Sequence, residues 1–109
     1  MLNQVSQGLC SIEQVVEWMC AGPAKIWNIK NKGQIKVGFD ADLTLVDLNL
    51  SQTIRNKDQQ TKCGWSPWDG EALTGWPVGT WVMGEQVFSL ENGNPQFNSE
   101  FQGREIEYG

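Results

Sequence analysis

The sequence predicts an α+β fold: two short N-terminal helices followed by a small, mainly antiparallel β unit. Three observations carry that expectation. Ser11-Ile12-Glu13-Gln14 is the side-chain pattern of a reciprocally capped helix start. Leu43 to Leu48, LTLVDL, has the apolar and β-branched content of a mostly buried strand. Thr80–Met83 and Gln86–Leu90 are two β-rich runs separated by Gly84-Glu85. Gly at the first central position suits a two-residue type II′ hairpin there.

Taken in order, Ile12, Val15, Val16 and Met19 follow Ser11 at helical spacing and give one apolar face. That helix is expected from Ile12 to about Cys20, ended by Ala21-Gly22-Pro23 because Pro23 cannot continue the hydrogen-bond ladder. The same proline suits the first position of a second short helix, Pro23 to about Asn28. In Lys32–Leu50, KGQIKVGFDADLTLVDLNL, Gly33 and Gly38 mark tight turns, and Asp40 and Asp42 can accept from nearby backbone amides just before the strand. Asn49 to Cys63 reads as a polar loop with a brief edge strand at Gln52-Thr53-Ile54. Gly64 to Gly70 is turn chemistry with two aromatic anchors, Trp65 and Trp68. The polar tail from Glu91 to Gly109 is expected to be an extended arm that docks weakly or frays.

With 109 residues the chain is one domain at most. A hydrophobic fraction of 39% and six tryptophans argue against a disordered segment. The formal charge of −5 opposes nucleic-acid binding, which needs clustered Lys and Arg. Lys25, Lys30, Lys32 and Lys36 form a loose basic patch that reads as a solvated face. Cys10, Cys20 and Cys63 are odd in number and follow no pairing pattern, so free thiols in a reducing compartment are expected. No run approaches the roughly 18 apolar residues of a membrane span, and MLNQVSQG lacks the features of a signal peptide. A cytoplasmic protein that contacts neither membrane nor nucleic acid is the expectation.

Four motifs in order carry a resemblance. They are Gly22-Pro23-Ala24-Lys25-Ile26, the KG-x-I-x-x-G-x-DAD pattern of Lys32–Asp42, Ser66-Pro67-Trp68-Asp69-Gly70, and Leu73-Thr74-Gly75-Trp76-Pro77-Val78. Together, over about Leu9 to Val87, they resemble the segment that follows the barrel in metal-dependent cyclic amidohydrolases, the family of dihydroorotase, hydantoinase and allantoinase. Gly22 stands where the family usually has Asn, which implies a lost helix cap worth only about a few tenths of a kcal/mol. The resemblance implies a dihydroorotase-like enzyme of pyrimidine biosynthesis, in which zinc-activated water opens a ring amide. It also implies that the zinc is held by a His-x-His pair, a carboxylated lysine, two further histidines and an aspartate, all upstream of this sequence. This chain has no histidine, and a (β/α)8 barrel needs about 250 residues. The expectation is therefore a C-terminal, non-catalytic portion of such an enzyme, inactive alone and binding no metal or cofactor itself. Residues 1–30 would pack on the missing barrel, 31–90 would form part of the composite β-sandwich flanking it, and 91–109 would be the tail. The partners implied are the barrel and the N-terminal strands of the parent chain, with self-association when these are missing.

The remaining candidates read as structural. Asp40 and Asp42 fall short of the about six oxygens of a hard-cation site. Asp47 reads as a strand end or a partner for a neighbouring loop, and Asp69 as a turn residue. Cys63, Ser11 and Ser66 lack the nearby base a nucleophile requires. Trp65, Trp68, Trp76 and Trp81 suit either burial at the missing interface or a ligand-stacking platform, the basis of an alternative reading as a stand-alone binding module or a docking subunit. Trp18 and Trp27 are ordinary packing candidates.

Overall fold

The structure is a computed structural model that describes residues 1–109. Helix α2, Ile12–Val16, starts as its sequence requires: the Gln14 N–H donates to Ser11 Oγ at 3.1 Å and the Ser11 N–H to Gln14 Oε1 at 2.9 Å. The break expected at Pro23 does not occur. A π-helical turn, Glu17–Ala21, leads directly into α3, Gly22–Ile26, so residues 12–26 form one helical run. In a plain α-helix a proline clashes with the carbonyl four residues back and leaves it without a donor. The wider turn just upstream shifts the hydrogen-bond register, and the Gly22 N–H donates to Glu17 O, five residues back. Gly22 is accordingly not a weakened cap. Its dihedrals are helical, and a Cβ there would lie 2.6 Å from Glu17 O. The run ends in a Schellman arrangement with Asn28 at φ 53, the Asn28 N–H on Lys25 O at 3.3 Å and the Ile29 N–H on Ala24 O at 2.8 Å.

Four strands follow: β1 (Leu43–Thr53), β2 (Ala72–Val82), β3 (Glu85–Glu91) and β4 (Asn94–Phe97). They form an antiparallel meander in the spatial order β1-β2-β3-β4, so the α+β class stands. Strand β1 continues past Leu48 through a bulge. Asp47 pairs with Trp76 and Ser51 with Thr74, so three residues of β1 face Gly75 alone. Asp47 does not end the strand: its Oδ1 accepts the Asn49 N–H at 2.9 Å and shapes that bulge. Pro77 is tolerated inside β2 because the ladder is broken beside it, the register stepping from Leu45↔Gly79 to Val46↔Pro77.

Both hairpins differ from expectation. Val82 pairs with Glu85, so the β2–β3 turn is Met83-Gly84, with φ 52 and 80, a type I′ rather than a II′ turn. Left-handed backbone at Met83 costs roughly 1–2 kcal/mol. It is offset by bonds from the Met83 N–H to Asp42 Oδ1 at 2.8 Å and from the Gly84 N–H to Ala41 O at 3.0 Å. The β3–β4 turn is Asn92-Gly93, again with both φ positive. An Asn-Gly pair between β-compatible runs is the strongest short-range hairpin signal, yet it reads as mere tail when the flanking residues are polar. Farther on, the tail returns to the end of α3. The Lys30 N–H donates to Glu107 O at 2.9 Å, the Gly109 N–H to Asn28 O at 2.8 Å, and Ile29 bridges Tyr108.

A further helix, α1 (Leu2–Ser6), was not expected, because five residues do not hold a helix alone. It exists by docking on β2. Asn3 Oδ1 accepts the Thr74 N–H at 2.9 Å, and the helix crosses β2 at Gly75, where a Cβ would lie 2.6 Å from Leu2 Cβ.

Little of the apolar content is enclosed. Only Val15 and Gly79 are buried. Leu43, Leu45 and Leu48, expected in a mostly buried strand, are 37%, 56% and 41% exposed. Trp18 and Trp27, ordinary packing candidates in the sequence, are also more than half exposed. The accessible surface is 8275 Å², where a self-contained protein of 12.2 kDa has about 6,100 Å². The radius of gyration is 15.3 Å against about 13 Å for a compact domain of this length. The β unit folds one layer and leaves its apolar surface without a second.

Candidate functional site

The chemistry-bearing residues of the Lys32–Asp42 motif meet at one point. A strand-start turn brings Asp40 and Asp42 toward Lys32, whose Nζ lies 2.9 Å from Asp40 Oδ2 and also donates to Asp42 Oδ2. The turn is held by the Asp40 N–H on Asn31 O at 2.9 Å and the Phe39 N–H on Lys36 O at 3.0 Å. Gly33 lets the loop approach the helical run, since a Cβ there would meet Ala24 Cβ at 2.6 Å and Cys20 O at 2.8 Å. The second oxygen of Asp40 lies 3.7 Å from Arg104 of the tail, and that of Asp42 takes the Met83 amide. One ammonium therefore ties the end of the helical run, the start of β1 and, through the two carboxylates, the β2–β3 turn and the tail.

The charges reinforce each other. Hydrogen bonds to Asp42 and then Asp40 raise the Lys32 pKa above its ordinary 10.5, outweighing the opposing effect of partial burial. Partial burial alone would raise the Asp42 carboxyl, but the Lys32 ammonium and the Met83 amide outweigh it and hold the pKa below 3.8. Lys32 is thus no part of a solvated basic face. Its side chain is 23% exposed and engaged by both carboxylates.

A cavity of about 260 Å³ lies beside this cluster, lined by Lys30, Lys32, Asp42, Met83 and Arg104 among others. Its donor set does not fit zinc. The carboxylate oxygens already serve an ammonium and an amide, no imidazole exists in the chain, and no three acidic or thiol ligands converge.

The other candidates take structural positions. Asp69 Oδ1 accepts the Asn56 N–H at 2.7 Å while Asn56 Oδ1 accepts the Ser66 N–H at 2.8 Å, a reciprocal clip between two loops. Ser66 Oγ accepts the Trp68 N–H at 3.2 Å and Ser11 Oγ caps α2. Cys10, Cys20 and Cys63 are free thiols. Cys63 is exposed, and the Thr61 hydroxyl, 3.1 Å away, lowers its pKa. Trp65 and Trp68 stand exposed on their loop, whereas Trp76 donates its indole N–H to Leu73 O at 2.7 Å and Trp81 lies across Gly79. None of the tryptophans stacks on another aromatic ring. The ring pair in the chain is Phe88–Phe97, 5.4 Å apart. Arg104, Asn56 and Asn3 carry no motif in the sequence, since their partners lie 10 or more residues away.

Similarity to known proteins follows the same region. Dihydroorotase from Pyrococcus furiosus is 41% identical over 87 residues, which are 80% of this chain and 21% of that protein. L-hydantoinase from Paenarthrobacter aurescens is 41% identical over 86 residues, 78% of this chain and 19% of that one. Among solved structures, the L-hydantoinase (dihydropyrimidinase) from Arthrobacter aurescens superposes with a TM-score of 0.75 at 40% identity, over 80% of this chain and 20% of its own. A D-hydantoinase superposes with a TM-score of 0.71 at 29% identity, over 77% of this chain and 19% of its own. The chain spans about a fifth of the length of the relatives it matches. The amidohydrolase family profile matches residues 1–87, four-fifths of the sequence, and the chain belongs to that family.

Proposed function

We propose that this chain is the C-terminal, non-catalytic portion of a dihydroorotase-like, zinc-dependent cyclic amide hydrolase of the cytoplasm. Its role there is structural. Residues 1–30 dock on the barrel, 31–90 supply one part of a flanking β-sandwich completed by N-terminal strands of the parent, and 91–109 brace the junction. The carrying observation is the apolar surface left without a partner: Trp18, Met19, Ile26 and Trp27 on and just after the helical run, Leu43, Leu45 and Leu48 on β1, and Trp65 and Trp68 on the loop, all exposed. Burying such surface is worth about 25 cal/mol per Å², and a chain that matches only about a fifth of its relatives' length has the rest of the enzyme as the natural cover. Zinc would belong to the barrel, where the parent supplies imidazoles that this segment lacks.

The test is reconstitution in trans. The chain is co-expressed with a related dihydroorotase from which the matching segment has been deleted. Co-purification, with dihydroorotate hydrolysis that requires both pieces and zinc, is the expected result. Hydrolysis of dihydroorotate or a hydantoin by the pure chain with zinc would overturn the non-catalytic assignment. Failure of the two pieces to associate would overturn the docking role.

A further inference from the structure

The tail leaves the sheet at one fixed point and meets the helical run at another. It leaves at Asn98, whose N–H donates to Val87 O at 3.0 Å and whose side-chain amide donates to Glu85 Oε1 at 3.0 Å. From Phe101 to Ile106 the backbone makes no hydrogen bond, and every residue from Gln102 on is exposed. The last residues are nevertheless ordered. The Lys30 N–H on Glu107 O and the Gly109 N–H on Asn28 O bracket the single pair Ile29–Tyr108, so losing one bond frees the register of the other. The Asn28 side-chain amide also donates to Gly109 O, and Arg104 lies 3.7 Å from Asp40. Gly103–Glu107 line the cavity of about 260 Å³ together with Lys30, Lys32, Asp42 and Met83.

What this contact holds follows from what the helical run lacks. None of its segments packs on a strand of the sheet. Its start is tied through α1, which packs on both α2 and β2. Its end is tied by the Lys32 turn and by the tail. Between that end and the turn lie Asn28, Asn31 and Gly33, all at positive φ, element-terminal positions of the kind that absorb a hinge rotation. We propose that Arg104–Gly109 is a latch: it opens and closes as one unit, and when closed it fixes the end of the helical run relative to the sheet. A brace is permanent, whereas this segment is exposed and held by a few bonds around one residue pair, the signature of a low local opening free energy. Open, it uncovers the cavity and leaves the run to swing about Asn28–Gly33 while the sheet stays folded. The inference concerns the chain by itself and does not rest on the proposed function.

Two exposed thiols already sit on the two bodies, Cys20 on the helical run and Cys63 on the loop between β1 and β2. Spin labels on both, in the full chain with Cys10→Ser, report the distance between run and sheet by double electron–electron resonance. Hydrogen exchange at the Lys30 amide reports the latch. Gly109→Pro removes the donor to Asn28 O and touches no part of the sheet. It should accelerate Lys30 exchange by at least about tenfold and broaden the distance distribution, with β2 amides unchanged. Gln102→Ala, exposed and outside the latch, should change neither readout. A Lys30 amide that stays protected in Gly109→Pro overturns opening as a unit, and one that is unprotected before any substitution overturns closure. Faster Lys30 exchange with an unchanged distance distribution overturns the control of the run. Acceleration that spreads to β2, or equal effects of Gln102→Ala, overturns the independence of the latch. All of this is read without a barrel, so failed reconstitution in trans would reject the proposed function and leave the latch standing.

Discussion

Gly75→Ala separates two effects that the structure places at one residue. Gly75 has φ 92, and a Cβ there would lie 2.6 Å from Leu2 Cβ and 3.3 Å from the Leu2 carbonyl carbon. The backbone conformation alone costs an L-residue roughly 1–2 kcal/mol. Forcing α1 off β2 adds an overpacking cost of about 1–3 kcal/mol, for about 2–5 kcal/mol in all. Gly38→Ala is the internal standard, because φ is 89 there and no atom lies within 4 Å of the added Cβ. It should show the backbone cost alone. Urea unfolding by circular dichroism, with an m value of about 1–3 kcal/mol/M, should place the Gly75→Ala midpoint below that of Gly38→Ala. Hydrogen exchange at the Thr74 amide, held by Asn3 Oδ1 at 2.9 Å, should accelerate in Gly75→Ala and not in Gly38→Ala. Leu2→Gly removes the opposing Cβ, so the double variant should recover part of the loss as a coupling energy. Equal costs at Gly75 and Gly38, or strict additivity with Leu2→Gly, would refute the close approach of α1 to β2.

Lys32→Met leaves Asp40 without its closest cation and Asp42 with only an amide donor, and should lower stability by about 1–3 kcal/mol in the same urea assay. Stability at low pH should follow Asp42: its folded pKa is depressed, so its contribution is complete above 3.8 and lost as pH falls through the folded value. For Lys32 the folded pKa is raised, so its contribution is complete below 10.5 and lost as pH rises through the folded value. Acid and alkaline titrations of the Lys32→Met variant should therefore be flatter than the wild type at both extremes, and parallel curves would contradict the cluster. Alkylation of Cys63 by iodoacetamide should reach half its maximal rate below the ordinary thiol pKa of 9.0, and Thr61→Val should move that midpoint up. An unmoved midpoint would remove the hydroxyl as the cause. With Trp18, Trp27, Trp65 and Trp68 exposed, the isolated chain should emit at red-shifted wavelengths, and the spectrum should move to the blue on reconstitution with the barrel piece. No shift would place these indoles outside the interface.

The sequence by itself determined the elements whose causes are local. The capping box at Ser11, the glycine-framed turn before Asp40 and the alternation of β-compatible runs all act over a few residues, so their patterns are visible in order along the chain. The ordered motifs from Gly22 to Val78 likewise sufficed to point at the amidohydrolases. Tertiary structure decided what depends on distant partners. Pro23 stays within a helix because a π turn upstream re-registers the bonding, α1 forms only because β2 receives it, and Met83 turns left-handed because Asp42 and Ala41 accept its hairpin's amides. Lys32 looked like a solvated cation because its two carboxylates lie eight and ten residues away. The largest difference concerns burial. Hydrophobic pattern shows that Leu43, Leu45 and Leu48 favour a surface out of water, but which surface covers them is a property of the assembled layers, and this chain contains only one of them.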